Sequence, residues 1–488
     1  MTTANLLQLC ILIPAIGALF IAASTRLPNL REGVTILTSA SLLATVFQLF
    51  RRTDVFSQTP LVLATPLPGI DFELHLEPLG LLFAGIASLL WLITSLYTIG
   101  YMRCNSEQHQ TRLYVCFAIA LSSTMGIALA GNLLTLFLFY ELLTLSTYPL
   151  VTHKGDHDAV AGGRFYLGIL IATSVGLLLP AIIWTWQVAG TTSFRPGGIL
   201  DWTMAPAGVS LLLMLYAFGI GKAALMPIHR WLPEAMVAPT PVSALLHAVA
   251  VVKAGVFSLV KIVLYIFGPK LLLETGSHLF LITIASITIV GASVIALQQD
   301  NLKRRLAYST VSQLAYISLA VAVLTPLSVT AAALHIAAHA FGKITLFFAA
   351  GAIYTAAHKT RVSELDGIGR RMPWTMTAFA IGSLSMIGLP PAAGFISKWF
   401  LLQGALIQPL WPVAAVLLLS TLLNASYLMP IVYVAFFRSE TRPPHHEHGE
   451  APKIMVIALC ATALLTLLLF IKPDPVLRLA QLLTGGFQ

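Results

Sequence analysis

Apolar residues fall in long runs along this chain, separated by short segments rich in proline, glycine and charged residues. Many of the runs are about 20 residues long, the length that an α-helix needs to cross the ~30 Å hydrocarbon core of a bilayer. The pattern therefore predicts fourteen transmembrane helices. They are expected near residues 4–24, 32–50, 79–101, 112–130, 133–151, 165–187, 207–228, 242–267, 278–297, 305–324, 327–356, 374–408, 410–437 and 454–471.

The eleventh and twelfth predicted helices are too long for a single straight crossing. The eleventh contains Gly342, and the twelfth contains Leu389-Pro390-Pro391 followed by Gly394. In transporters, helices are interrupted where the backbone is buried in protein or lines a wet cavity. We therefore expect both helices to be broken near these residues.

Composition supports an all-α polytopic membrane protein. The chain has 57% hydrophobic and 10% charged residues, whereas soluble domains have about 25% charged residues. The net charge of +9 does not indicate nucleic-acid binding, because the basic residues are scattered among short loops. Of the loop lysines and arginines, 17 follow odd-numbered helices and 6 lie on the other side. The positive-inside rule then predicts an inner (plasma) membrane protein with both termini outside.

A few charged residues remain inside the predicted helices. Glu141 is the acidic residue among them, and the basic ones are all lysines: Lys222, Lys253, Lys261, Lys343 and Lys398. Each charge at a helix centre costs about 2.5–3.5 kcal/mol on insertion scales. Such a cost indicates that these residues are paired and serve a function, and one of the lysines is the expected partner of Glu141.

The choice of lysine over arginine favours proton transfer. A desolvated lysine can exist neutral or charged near neutral pH, whereas an arginine stays charged. Lys261 is the expected exception, because it lies about two turns from the end of its helix. Its stem is predicted to reach the interface, which gives it a structural role.

Histidines extend the pattern. His335, His339 and Lys343 stand at i, i+4 and i+8, so one face of the eleventh helix carries three titratable groups. Histidine can pass a proton through its two ring nitrogens near neutral pH. His247 and Lys253 form a looser pair in the eighth helix. The histidines could instead be hydrogen-bonded core residues; a metal site is not expected, because no third ligand is near in sequence.

Two long motifs resemble a known family. They are "GKAALMPIHRWLPEAMVAPTPVSALLHAVAVVKAGVF" at 221–257 and "ELDGIGRRMPWTMTAFAIGSLSMIGLPPAAGFISKWF" at 364–400. Both resemble the proton-translocating antiporter-like family, which includes complex I membrane subunits, the A-type and D-type subunits of Mrp antiporters, and membrane-bound hydrogenase subunits. The chain looks closest to the D-type Mrp subunits and their hydrogenase-linked relatives.

The resemblance implies a core of two inverted five-helix repeats. Its expected parts are residues 1–110 (helices 1–3), 111–267 (helices 4–8), 277–437 (helices 9–13) and 438–488 (a cytoplasmic loop and helix 14). It also implies that Glu141, Lys222, Lys253 on a broken eighth helix and Lys398 are proton-transfer residues. When the two repeats are aligned with Asn132 opposite Asn301, Thr310 stands opposite Glu141. The second repeat therefore has no acidic residue at that position.

Three functions remain open from the sequence. The first is a proton-conducting subunit of a multisubunit complex driven by redox chemistry in partner proteins. The second is an Mrp-type subunit that exchanges Na⁺ or another cation for protons, and the third is a non-conducting scaffold. No catalytic site, cofactor or metal is expected in the chain itself. The histidine-rich segment at 443–450 is expected to be a solvated loop rather than a metal site.

Overall fold

A computed structural model describes residues 2–484 apart from 53–55, 57–58, 68–69, 202–203 and 440–448. The described chain is a bundle of helices with one two-stranded hairpin. The metal-binding alternative for the segment at 443–450 falls mostly outside the described residues.

The helices of the first half follow the predicted order, with short 3₁₀ and π turns between some of them. Their bounds, with those of the two strands, are α1 Thr3–Ala23, α2 Pro28–Phe50, β1 Leu61–Leu67, β2 Ile70–Leu74, α3 Pro78–Cys104, α4 Gln110–Ala128, α5 Leu133–Val151, α6 His157–Thr173, α7 Leu179–Ala189, α8 Pro206–Gly219, α9 Trp231–Glu234, α10 Thr240–Ala244 and α11 Val251–Ile262.

The second half continues in the same way and adds a short helix after the last predicted span. The bounds are α12 Pro269–Thr275, α13 His278–Gln298, α14 Leu302–Ala322, α15 Pro326–Ala357, α16 Ile368–Arg371, α17 Pro373–Ile387, α18 Gly394–Ile407, α19 Trp411–Phe437, α20 Lys453–Ile471 and α21 Asp474–Leu482.

Eleven continuous helical stretches of the described chain are long and apolar enough to cross a membrane. The seventh, tenth and twelfth predicted spans are helical as well, in α8, α14 and the pair α17–α18. α14 is less apolar than the others, because its first turns carry Lys303, Arg304 and Arg305. The chain is thus a multi-pass membrane protein of the predicted all-α class.

One end of the bundle is marked by the antiparallel β1–β2 hairpin, which the sequence did not predict. β2 is tied to the link between α4 and α5: Gly131 N donates to Glu73 O (2.8 Å) and His75 N donates to Leu129 O (2.8 Å). The link after α7 joins them, because Phe194 N donates to Gly131 O (3.0 Å). We call this the hairpin end; the charge bias predicts that it faces outside.

A local arrangement occurs twice. Asn132 caps α5, and Leu133 N donates to Thr192 O (3.0 Å) in the link after α7. Asn301 caps α14, and Leu302 N donates to Thr360 O (2.9 Å) in the link after α15. The repetition agrees with two related halves, although the domain bounds given above stay a prediction.

The eleventh predicted helix is not broken. α15 runs without interruption through Gly342. A Cβ at Gly342 would lie 2.7 Å from Met386 Cε and 3.1 Å from Ser385 Cβ of α17. The missing side chain therefore lets two helices approach closely, and it does not end the helix.

The seventh predicted helix is the one that breaks instead. α8 stops at Gly219, and a 3₁₀ turn over Gly221–Ala223 follows. The twelfth is broken as predicted, between α17 and α18. The eighth span is distorted rather than broken: a π turn over Leu245–Val249 joins α10 to α11. The irregular segments of the seventh and eighth spans are buried inside the bundle, where protein groups satisfy the freed backbone, whereas residues 389–391 of the twelfth are exposed.

Two predicted boundaries also differ. The sixth span begins at His157 rather than near residue 165, because the side chain of Asp156 caps the helix by accepting from Ala159 N (2.7 Å). α2 begins at Pro28, so it includes Glu32, which the sequence placed at the helix edge. Glu32 is buried and bonds Arg103 at the end opposite the hairpin.

Candidate functional site

Lys222 lies in the break of the seventh span, and α5 holds its ammonium. The side chain is fully buried. Its Nζ donates to Tyr140 O (2.8 Å) and Thr144 Oγ1 (2.6 Å), and it lies 3.1 Å from the Tyr140 ring centroid. The backbone N of Lys222 donates to Tyr140 Oη (3.1 Å). Two hydrogen bonds and the face of an aromatic ring offset part of the cost of burying this charge.

Glu141 does not pair directly with Lys222 in this structure. Among the described residues, neither of its buried carboxylate oxygens has a hydrogen-bond or ion-pair partner. Its neighbours on α5, Leu138 (46% exposed) and Leu145 (55% exposed), face outward. Glu141 is therefore on the side of α5 toward the bundle surface, while Tyr140 beside it faces Lys222.

Lys253 and His339 are hydrogen-bonded across the bundle interior. Lys253 Nζ on α11 bonds the Nδ1 atom of His339 on α15. Both side chains are fully buried. A proton can pass along such a bond, because either nitrogen can hold it.

His335 continues this contact along α15. Its ring lies 6.2 Å from that of His339 and 5.5 Å from that of Tyr316, measured between centroids. Its Nδ1 is hydrogen-bonded to Ser397 Oγ (2.8 Å) on α18. The structure thus brings the predicted histidine pair against the residue that precedes Lys398.

Lys398 is held by the break of the twelfth span. Its Nζ donates to Met386 O and Ile387 O, at 2.9 Å each, and lies 4.5 Å from the Tyr316 ring centroid. Neither carbonyl is needed for a further helical turn because α17 ends there, and Met386 O also accepts from Gln313 Nε2 (3.3 Å). Carbonyls at a helix C-terminus are favourable partners for a cation. Lys253, His339, His335 and, by way of Ser397 and the Tyr316 ring, Lys398 consequently form one series of groups that joins α11 to α15 and α18.

Lys343 and His247 lie beside this series of groups. Lys343 Nζ donates to Ser309 Oγ (2.8 Å) on α14, which also accepts from Tyr427 Oη (2.9 Å). His247 is in the π turn, with its ring 4.8 Å from Phe347 of α15. No described residue hydrogen-bonds its ring nitrogens, so the predicted pair with Lys253 is not a direct contact.

The prediction for Lys261 was wrong. Its side chain does not reach the interface; it is fully buried and forms an ion pair with Glu77 (Nζ–Oε2 3.1 Å). The partner precedes α3, far earlier in the chain, so no local pattern could indicate it. The hydroxyl partners Thr144, Ser309 and Ser397 were missed too; their one signal was a polar residue inside an apolar span.

The described residues contain no group of three histidine, cysteine or acidic side chains that could hold a metal ion. The four cysteines are free thiols. What the arrangement can do is hold and move protons, since lysines, histidines and hydroxyls follow one another through the buried core.

Comparison with known proteins gives the family. Residues 130–441 match the family described as NADH:quinone oxidoreductase/Mrp antiporter, TM. NADH-quinone oxidoreductase subunit N of Desulforudis audaxviator is 33% identical over 389 residues, which cover 77% of this chain and 75% of the relative. Hydrogenase-4 component B of Escherichia coli is 30% identical, over 83% of this chain and 63% of the relative.

A solved structure has the same fold. The Mrp complex from Dietzia sp. DQ12-45-1b contains a chain that matches with a TM-score of 0.86 at 21% identity, over 99% of this chain and 97% of that one. The matched family region and the 33% identical relative establish that the chain belongs to the NADH:quinone oxidoreductase/Mrp antiporter transmembrane family.

Proposed function

We propose that this chain conducts protons through its core as a membrane subunit of a multisubunit complex. The observation that carries the proposal is the series of buried groups from Lys253, bonded to His339, across the stacked ring of His335 to Ser397, which precedes Lys398. Relatives include subunits of NADH-quinone oxidoreductase and hydrogenase-4. Redox chemistry in partner proteins would then drive the protons, and this chain would hold no cofactor.

In the proposed route, a proton taken up from the cytoplasm reaches Lys253 and crosses to His339. The step to His335 covers 6.2 Å between ring centroids and requires a ring movement or a bridging hydroxyl. Ser397 and the Tyr316 face then link His335 to Lys398, from which the proton leaves to the outside. Lys343 supplies a positive charge two turns along α15 from His335 and can exchange protons through Ser309.

Glu141 and Lys222 form the proposed switch. When the carboxylate pairs with the ammonium, Lys222 keeps its proton; when they separate, Lys222 can pass the proton toward Lys253 through the region of His247. Their separation in this structure, with Lys222 bonded to Tyr140 and Thr144, supports an open state of that switch. An unpaired buried carboxylate is costly to keep without such a use.

A second candidate function is cation/proton antiport. The likeness of the fold to a chain of the Mrp complex favours it. In that case the same lysines and histidines would carry the proton half of the exchange, and Na⁺ or another cation would cross with help from partner subunits. Under either function, we place the chain in the inner membrane with both termini outside, from the charge bias of its loops.

The test begins with the native complex, purified in mild detergent. Mass spectrometry of its subunits and an assay for iron and nickel separate the two candidates. Iron–sulfur or nickel-bearing partners support the redox-driven pump, whereas a set of small hydrophobic subunits without these metals supports the antiporter.

The route itself is tested with the complex in liposomes. A K⁺ diffusion potential set with valinomycin drives protons, and an enclosed pH dye reports the flux. We expect Lys253→Met and His339→Gln to lower the flux at least about tenfold, and Lys472→Met, at the exposed end of α20, to leave it unchanged. If the assembled complexes with Lys253→Met and with His339→Gln both keep the full proton flux, the chain is a non-conducting scaffold.

A further inference from the structure

Three titratable side chains outside the proposed route meet at the hairpin end. Lys261 Nζ lies 3.1 Å from Glu77 Oε2, and His75 Nδ1 lies 3.4 Å from Glu77 Oε1. Lys261 comes from α11, whereas His75 and Glu77 lie in the segment between β2 and α3. We call these three residues the outer triad.

Within the outer triad, the exposed fraction of the side chain falls from His75 through Glu77 to Lys261. The side chain of His75 is 21% exposed, that of Glu77 is 5% exposed, and that of Lys261 is fully buried. Lys261 Nζ also donates to Ala130 O and lies 4.1 Å from the Phe194 ring centroid. The arrangement leads from a partly exposed imidazole to an ammonium inside the protein.

A cavity of about 280 Å³ lies against the outer triad. Its wall includes His75, Glu77 and Tyr265, together with Leu482 and Leu483 from the C-terminal end of α21 and the residue after it. The volume exceeds what one water molecule needs. Two members of the triad thus face a space that can hold water, while Lys261 lies behind them.

Lys261 is also close to the proposed route. It stands eight residues after Lys253 on the same helical span, which corresponds to about 12 Å along the axis. Ser258 lies between them in sequence and is buried, with its hydroxyl donating to Ala254 O (2.7 Å), so a proton crosses this distance through water or after that hydroxyl turns. The outer triad therefore lies between Lys253 and the hairpin end of the bundle.

We propose that the outer triad is a second proton outlet beside Lys398, which passes protons from Lys253 to the cavity at the hairpin end. The Lys261 ammonium gives its proton to Glu77, leaving a neutral amine and a neutral carboxylic acid. Glu77 then gives the proton to neutral His75, which becomes an imidazolium, and Glu77 is again a carboxylate. His75 releases a proton to water in the cavity, and Lys261 takes a new one from the direction of Lys253.

The charges around Glu77 support this order of proton transfers. Burial alone would raise the pKa of the Glu77 carboxyl, but the Lys261 ammonium and the His75 ring outweigh it and hold that pKa below its usual value. The Glu77 carboxyl therefore gives up a proton readily, as a transient carrier between Lys261 and His75 must. Further charged side chains of this region are Glu73 and Asp71 of β2 and that of Arg195, whose backbone N donates to Tyr265 O (3.3 Å), and Tyr265 lines the cavity.

Stability alone does not account for the triad. A buried ion pair is often no more stable than apolar side chains of the same volume. A purely structural pair would also work with arginine, whose fork makes stronger bonds to a carboxylate. Lysine differs from arginine in that it can lose its proton.

The inference rests on the proposed function, and its test uses the same liposomes with the whole complex. Lys261→Arg retains the charge and the ion pair but cannot deprotonate. We expect it to assemble normally and to lower the flux by the share that leaves through the outer triad rather than through Lys398. Flux at the unmodified rate through the Lys261→Arg complex would overturn the proposal.

A second variant covers the case in which arginine does not fit. Glu77→Gln/Lys261→Met removes both charges and leaves no unpaired one, so the bundle is expected to assemble. Low flux supports a proton site, and recovered flux shows a structural pair. The matched control is Glu73→Gln, the same change four residues earlier, which is expected to leave the flux unchanged. Loss of flux in Lys253→Met but not in the triad variants would reject this site while retaining the proposed function.

Discussion

Gly394 offers a sharp test of how the break in the twelfth span positions Lys398. A Cβ at this position would lie 1.8 Å from the Ser385 carbonyl oxygen and 2.8 Å from its carbon. Both atoms belong to backbone, so no side-chain rotation can relieve the clash. In Gly394→Ala the contact must open from 1.8 Å to at least 3.0 Å, which moves α18 by about 1.2 Å relative to α17.

That displacement is large compared with what the hydrogen bonds of Lys398 Nζ tolerate. Lys398 follows Gly394 by one turn of α18, and its acceptors Met386 O and Ile387 O follow Ser385 directly. Hydrogen bonds of 2.9 Å that lengthen by about 1.2 Å no longer qualify as hydrogen bonds. A misplacement of about 1 Å in a reacting group costs about 10²-fold in rate, or roughly 2.7 kcal/mol.

We therefore expect Gly394→Ala to lower proton flux in the liposome assay about 100-fold. The matched control is Gly168→Ala in α6, where no atom lies within 4 Å of the added Cβ. Native gels monitor assembly of both complexes. If the Gly394→Ala complex is lost, Ser385→Ala is the milder probe, since it removes the hydroxyl that accepts from Gly394 N (3.2 Å). Unchanged flux in assembled Gly394→Ala complex would refute a positioning role for this break.

The remaining predictions concern the switch and one loop residue. Lys222→Met should abolish flux without loss of assembly, because it removes the ammonium that Tyr140 and Thr144 hold; normal flux would exclude Lys222 from the route. Glu141→Gln should also lower flux, and pumping by the intact variant would contradict the switch. Burial, with Arg112 nearby, lowers the pKa of His153 to about 4. His153 is therefore neutral in the folded chain, and its contribution to stability is complete above pH ~6.5 and is lost as the pH falls toward 4. Thermal unfolding of the complex between about pH 4 and 7 checks this, and a His153→Gln variant with the same pH dependence would contradict it.

The candidate site was partly accessible from sequence. His335, His339 and Lys343 share a face of α15 because helical periodicity is local, and the structure retains that face on an unbroken helix. The break at 388–393 followed from proline and glycine. The break after Gly219 was missed, although Gly219, Gly221 and Pro227 are residues that interrupt helices.

What the sequence determined by itself is the all-α membrane class and the set of buried titratable residues. Both depend on hydropathy and helical period, which short segments carry on their own. The partners of those residues were decided by the tertiary structure. Lys253 meets His339 86 positions away, and Lys222 bonds Tyr140 and Thr144 rather than Glu141.

Lys261 illustrates the physical reason. Two turns from a helix end, a lysine stem can either reach the interface or turn inward, and the local sequence is the same for both. The choice depends on whether another segment supplies a carboxylate at that depth, and here the segment before α3 brings Glu77 within 3.1 Å. Such pairings follow from how helices pack against one another, and only the folded chain contains that information.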